Sequence, residues 1–405
     1  MADTDVLESG DLTDLPYHRP KPPKRLELID LLRGLVLVLM VLDHTRTFMH
    51  KDAFSFDPLD LTKTTPLLFF VRWTTHLCAP TFAFLAGVSI FMQSARGKSG
   101  LKLSAFLLTR GLWLIFLELT LIDFGWSFSE PYVFLQVIWA LGASMIFMAA
   151  FTLLPGRSVL ILGILITVGH GLLDGIHAKD LSGTAQILWR LFMEPGGLGS
   201  VPGYLLYPVM PWLGIMCLGY GIGPLFDLDE LRRKRALEIL LVAFIAAFLL
   251  LRLPNLYGDP VPWVWKANPS LTALSVLNIS KYPPSLDFTL LTLGLALFLG
   301  LSLQRLPGLF KAPLLAFGRT PLLTYSVHLY LIHGMALVLG VMRGLPAADF
   351  FSFEPDSSRA AADGWGLPLW QVILVWIAVL VVLYPISRAY ATYKAKHDYW
   401  WLSYI

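Results

Sequence analysis

The residues of this chain best suited to chemistry sit where its hydropathy says they should not. Asp30, Arg33, Asp43, His44, Arg46, His76, Arg110, Glu118, Asp123, His170, Asp174, Arg319, His328 and His333 all fall within or at the edges of long apolar stretches. Placing Arg or Asp at the centre of a membrane helix costs on the order of 2.5–3.5 kcal/mol, so each such residue demands a partner, a cavity or a function. Followed along alternating helices at about 1.5 Å per residue, they sort into two layers. Arg33, Arg110 and Arg319 lie near one face, with Asp30 the only acid within a turn of them. Permanent cations with five donors each suit a phosphate-bearing ligand, although snorkelling to lipid headgroups or pairing with Asp30 accounts equally well for any single one.

Toward the other face lie His44, His76, His170 and His333, with Asp43, Asp123 and Asp174 near them. Histidine titrates near neutrality and can take and return a proton. A lone buried histidine is more often a hydrogen-bonded structural group, but four at similar depth favour proton handling. Arg33 and His44 are eleven residues apart, which is three helical turns with a drift of only about 20° and an axial distance of about 16 Å. One face of one helix can therefore touch both layers. Asp43 points about 100° away from His44, which favours an acid on another helix as that histidine's orienting partner. No His-x-x-x-His or His-Glu-x-x-His pattern occurs, and His328 and His333 point to different faces, so no metal site is expected. Cys78 reads as a small packed thiol, and its depth differs from that of Cys217, against a disulfide.

These side chains must be positioned by helices in a bilayer. The chain is 56% hydrophobic and only 15% charged, too apolar for a water-soluble domain, and its apolar runs of about 18–25 residues each suffice to cross a membrane. Candidate spans fall at roughly 27–49, 77–95, 103–125, 132–153, 158–175, 204–225, 235–252, 285–303, 320–341 and 367–388. The expected fold is an all-α polytopic membrane bundle of about ten helices, with Lys and Arg setting its orientation. The connections on one side hold seventeen basic residues, among them Arg19 to Arg25, Arg96, Lys98 and the run Arg232 to Arg235, against nine on the other, including Lys281, Arg343 and Arg359. Both termini are therefore expected in the cytoplasm, and the chain in a plasma (inner) membrane. Residues 1–26 read as a disordered cytoplasmic tail, 27–390 as the membrane domain and 391–405 as a cytoplasmic tail. The stretches 67–75 and 186–193 look like short interfacial helices, while Pro80, Pro208 and Pro211 should break spans. Basic residues gather at membrane edges rather than in a stripe, so nucleic acid is not an expected partner.

At these same residues the chain becomes recognisable. Arg25 to Leu35, Arg-Leu-Glu-Leu-Ile-Asp-Leu-Leu-Arg-Gly-Leu, followed by Met40 and Asp43-His44, resembles the opening helix of the transmembrane acyltransferase superfamily. The stretch His76 to Gly87 resembles the second helix of its branch that holds heparan-α-glucosaminide N-acetyltransferase and bacterial relatives. Arg110-Gly-Leu-Trp113, Gln136-Val-Ile-Trp139 and Tyr282-Pro-Pro-Ser285 extend the resemblance over most of 25–390. It implies acetyl transfer from cytoplasmic acetyl-CoA, through the membrane, to an extracytoplasmic sugar-type acceptor. The inner arginines Arg33, Arg110 and Arg319 would then hold the CoA phosphates. In the acyltransferase-3 branch a motif of Arg, ten residues and His is functionally important, and it falls on Arg33 and His44. The glucosaminide branch usually has Asn at the position of His44 and its active histidine in the first outer loop, where gapless matching places Pro66 and where His50 is the only histidine. His44 is thus the first catalytic candidate, as base or acetyl carrier, His76 the second, and Asp43 accompanies them. A proton-coupled secondary transporter is the alternative that broken helices and membrane histidines also suit. Acceptor identity and oligomeric state, a homodimer included, stay open.

Overall fold

The computed structural model describes residues 26–405 except 54, 130–131, 200, 352–359 and 361. The basic run before Leu26 and Arg359 therefore lie outside the described residues.

Each of the ten expected spans coincides with a helix. The order is α1 (Glu27–Met49), α2 (Pro66–Thr74), α3 (Cys78–Ala95), α4 (Gly100–Leu117), α5 (Asp123–Ser127), α6 (Val137–Phe151), α7 (Gly156–Gly169), α8 (Gly183–Phe192), α9 (Val209–Ile222), α10 (Glu230–Arg252), α11 (Pro269–Leu277), α12 (Leu286–Leu303), α13 (Gly308–Arg319), α14 (Pro321–Met342) and a final long helix, Leu369–Lys396. Among the described residues, seven helical stretches are long and apolar enough to cross a membrane. The chain is an all-α polytopic membrane bundle. Of the three remaining spans, α6 is short, while α1 and α10 are interrupted by charge, α1 by Glu27, Asp30, Arg33, Asp43 and Arg46. Glu27 is exposed at the start of the helix and pairs with Lys311; the others are tolerated because α1 is the hub of the bundle, packed against α3, α12, α13, α14 and the final helix, so they meet protein and not lipid.

Close backbone approach sets this packing. A Cβ on Gly34 would lie 1.9 Å from the Leu314 carbonyl oxygen, and one on Gly318 would lie 1.8 Å from that of Asp30. Small residues at such crossings let membrane helices gain van der Waals contact where no hydrophobic drive is available. The short helix α13 was not among the expected spans. Its twelve residues, with Pro313 inside, are too few to cross a bilayer, yet they seat against α1 and bring Arg319 beside Asp30.

The proline expectations resolve differently. Pro80 lacks the N–H that would bond back to residue 76, and the chain meets this with a 3₁₀ turn at Thr75–Leu77 that joins α2 to α3. Residues 67–75 fall on α2, which runs through that turn into α3 as one helical stretch, Pro66–Ala95. Pro208 caps α9 and Pro211 lies in its first turn, where a missing N–H costs nothing, so α9 starts there instead of breaking. The stretch 186–193 falls on α8. Between α4 and α5 a π turn, Glu118–Ile122, buries Glu118, whose Oε1 accepts the Gln136 N–H at 2.8 Å. Asp123 accepts the Phe134 N–H at 3.2 Å. These two membrane acids fix the short strand Val133–Leu135 and the start of α6, which pairs with a strand at Gly203–Leu205.

Candidate active site

Two cavities lie end to end along α1. One, about 470 Å³, is lined by Arg33, Arg96, Lys98, Arg110, Arg319 and Lys394 and by a single acidic side chain among the described residues, Asp30. The other, about 240 Å³, is lined by Asp43, His44, Arg46, Arg72, Trp126, Lys281, Tyr282 and His333. Arg33 and His44 line different cavities, as their eleven-residue spacing on one helix face requires. Met40, Val137 and Tyr325 line both. These three residues form a septum shared by the two spaces.

The cationic cavity brings together all three arginines expected there. Arg33 donates to Ser89 Oγ and to the Leu85 carbonyl on α3. Arg110 donates to the Ser403 carbonyl, in the turn that follows the final helix. Arg319 approaches Asp30 at 3.6 Å through Nε. Three further cations, Arg96, Lys98 and Lys394, join them from connections and from the final helix, where charge alone reported topology.

In the histidine cavity, His44 Nδ1 lies 2.7 Å from His328 Nε2, and the rings stack at 4.9 Å. His328 Nδ1 lies 3.0 Å from the Thr324 carbonyl oxygen. A carbonyl can only accept, so for neutral rings the network assigns the His328 proton to Nδ1. Its Nε2 is then a lone pair, His44 must donate to it from Nδ1, and His44 Nε2 is left as an unprotonated base. Trp126 packs edge-on to His44 at 4.9 Å and confines the ring from another side. The orienting partner of His44 is thus a histidine on α14, not the acid expected.

Asp43 serves a different purpose. Its Oδ1 takes Arg46 at 3.2 Å and its Oδ2 takes Arg72 at 3.2 Å, while Arg72 also donates to Thr75 Oγ1 at 2.8 Å. The carboxylate therefore ties α1 to α2 and holds two guanidiniums at the cavity wall. His333 lines the cavity, but its nitrogens face the carbonyls of Gly125 at 2.9 Å and Phe350 at 2.7 Å, so neither is open to act as a base. His76 is buried outside the cavity, against Trp73 and Phe288. Thr75, Cys78 and Ala79 face the cavity, and His76 is about 100° off that stripe. His170 caps the end of α7 with Nδ1 3.0 Å from the Ile166 carbonyl. Cys78 and Cys217 are free thiols, and Cys78 donates to the Val36 carbonyl at 3.2 Å.

Residues 25–255 match the model of the heparan-alpha-glucosaminide N-acetyltransferase catalytic domain. The chain belongs to that family. Comparison with curated proteins finds no match. Membership in the heparan-alpha-glucosaminide N-acetyltransferase family makes this a multi-pass membrane protein of acetyltransferase type. The matched segment holds Arg33, Asp43, His44 and Arg110, whereas Lys281, Arg319, Tyr325 and His333 come from beyond it, as does His328, the partner of His44. Both cavities are thus built jointly by the matched and unmatched parts of the chain.

Proposed function

We propose that the chain moves an acetyl group from cytoplasmic acetyl-CoA to an amine or hydroxyl of a sugar-type acceptor on the far side of a plasma membrane. The observation that carries this reading is the shared septum: the cavity lined by six cations and the space beside His44 have Met40, Val137 and Tyr325 as common wall residues. The excess of basic residues on the side of the cationic cavity supports placing that side in the cytoplasm. Guanidiniums and ammoniums there would bind the phosphates of CoA through charge-assisted hydrogen bonds. Its pantetheine arm would pass Met40, whose three rotatable bonds make it the most adaptable of the septum residues.

At the septum His44 Nε2 takes the proton from the acceptor N–H or O–H as that atom attacks the thioester carbon. His44 becomes imidazolium, steadied by its Nδ1–H bond to His328. The tetrahedral intermediate collapses, the C–S bond breaks, and the imidazolium returns its proton to the departing thiolate. Such general base work contributes about 10²- to 10⁴-fold in rate. In the covalent variant His44 Nε2 itself carries the acetyl group between donor and acceptor.

The test uses purified full-length protein in lipid vesicles with radiolabelled acetyl-CoA. Transfer to glucosamine as the acceptor probe, lost in His44→Ala, is the expected result. Flux of a solute without consumption of acetyl-CoA would favour the transporter alternative and overturn this one. Label retained on the protein without acceptor, and absent in His44→Ala, selects the covalent variant.

A further inference from the structure

The acyl-transfer reading leaves the acceptor undefined, and the histidine cavity carries more positive charge than proton transfer needs. Its described lining holds three cations, Arg46, Arg72 and Lys281, and two carboxylates, Asp43 and Asp349. Asp43 is engaged by both guanidiniums. Lys281 is only 7% exposed; its Nζ lies 5.0 Å from the centroid of the Tyr282 ring, its side chain hydrogen-bonds with that of Tyr282, and it feels the charge of Asp43. It makes no salt bridge with any described carboxylate. A buried ammonium without an ion pair is costly, and a site retains one where a ligand supplies the counter-charge.

The loop that carries Lys281 also presents Tyr282, whose hydroxyl lies 3.3 Å from that of Tyr207. One O–H of that pair is spent within it, which leaves the other hydroxyl, with Lys281 and Arg72, lining one cavity as donors suited to an anion. Asp349 differs in kind. One of its carboxylate oxygens, Oδ2, is buried without a hydrogen-bond partner, and it suits the hydroxyl or amine hydrogens of the same ligand.

The geometry points to an acceptor that bears a fixed negative charge, a phosphate, sulfate or carboxylate, held by Lys281, Arg72 and Tyr282 while its amine or hydroxyl faces His44. This rests on the acyl-transfer reading for the word acceptor, but not for the anion site itself. The anion also gives selectivity, because a neutral sugar would leave Lys281 buried without a contact ion pair.

Isothermal titration calorimetry on the full chain in detergent tests it, with CoA saturating so that the cationic cavity is filled. The probes are glucosamine, glucosamine 6-phosphate and short-chain phosphatidylethanolamine, which carries its phosphate and amine on a lipid. At least one phosphorylated probe should bind about tenfold or more tightly than glucosamine, and which one does so tells a soluble from a lipid-borne source. Lys281→Gln should bring all probes within about twofold of glucosamine, and Lys281→Arg should restore the preference. Retained CoA binding and an unchanged melting midpoint show that the variants are folded; if Lys281→Gln fails that check, Lys281→Arg and Tyr282→Phe decide, the latter weakening the phosphorylated probe alone. Equal affinity for neutral and phosphorylated probes, no binding of either phosphorylated probe, or a preference that survives Lys281→Gln overturns the proposal. If Lys281 instead steadied the oxyanion, Lys281→Gln would slow turnover and leave the binding preference intact, which also overturns it. A preference that depends on Lys281 while labelled acetyl-CoA is never consumed would count against the acyl-transfer reading alone.

Discussion

Replacing His328 by Leu removes the acceptor for His44 Nδ1–H while keeping most of the volume at a position that is fully buried. The hydrogen bond is short, 2.7 Å, and in the proposed transition state its donor becomes an imidazolium. A hydrogen bond to a charged group is worth about 1.5–3 kcal/mol. At about 1.4 kcal/mol per tenfold this is roughly a 10- to 150-fold loss in kcat. The loss should fall on kcat and not on CoA affinity, since His328 lies outside the cationic cavity. His328→Gln, which can still present an oxygen to Nδ1–H, should recover part of the rate. The assay is acetyl transfer at saturating acetyl-CoA, with CoA binding and the melting midpoint measured on the same preparations. A His328→Leu enzyme within twofold of the parent, when His44→Ala is inactive, would refute the tautomer argument outright.

Other outcomes follow from the same geometry. Met40→Trp should close the septum, abolishing transfer while CoA still binds, as titration of CoA and a transfer assay together would reveal. Arg110→Gln should weaken CoA binding by about 1.5–3 kcal/mol, or roughly 10- to 150-fold, and flatten its salt dependence. Asp43→Asn leaves Arg46 and Arg72 without their shared carboxylate and should destabilise the fold by about 3–5 kcal/mol, the usual cost of breaking a buried pair from one side, read as a lowered melting midpoint in detergent. Gly34→Val cannot be accommodated against the Leu314 carbonyl, and should yield protein that fails to elute as a single species on size exclusion.

Much of the bundle was legible because bilayer-crossing helices announce themselves by length and apolarity. The alignment of Arg33 and His44 was legible for an equally simple reason: helical periodicity holds within one helix whatever surrounds it. Pairings across helices were not. His328 stands 284 residues from His44, and a helix face read alone does not say which neighbour it meets. Lys281 counted only as a loop charge, since nothing local tells that its loop folds down into the cavity. His76 was legible as a buried histidine at the right depth, but the 3₁₀ turn that Pro80 imposes lies at that very residue, and its neighbours, not it, face the cavity. Helix α13 escaped because its twelve residues, with Lys311 and Pro313 inside, are too few to register as a span.

The wall formed by Met40, Val137 and Tyr325 sets what can pass through this protein. An open tube joining two aqueous sides would let ions run down their gradients with every turnover. Under the proposed transfer, a wall of side chains would instead admit only a slim, largely uncharged arm that displaces a side chain as it enters and lets it fall back on leaving. A two-carbon unit would then pass from one compartment to the other while the protein stays electrically tight, and the cost to the cell would be counted in thioester and not in lost membrane potential.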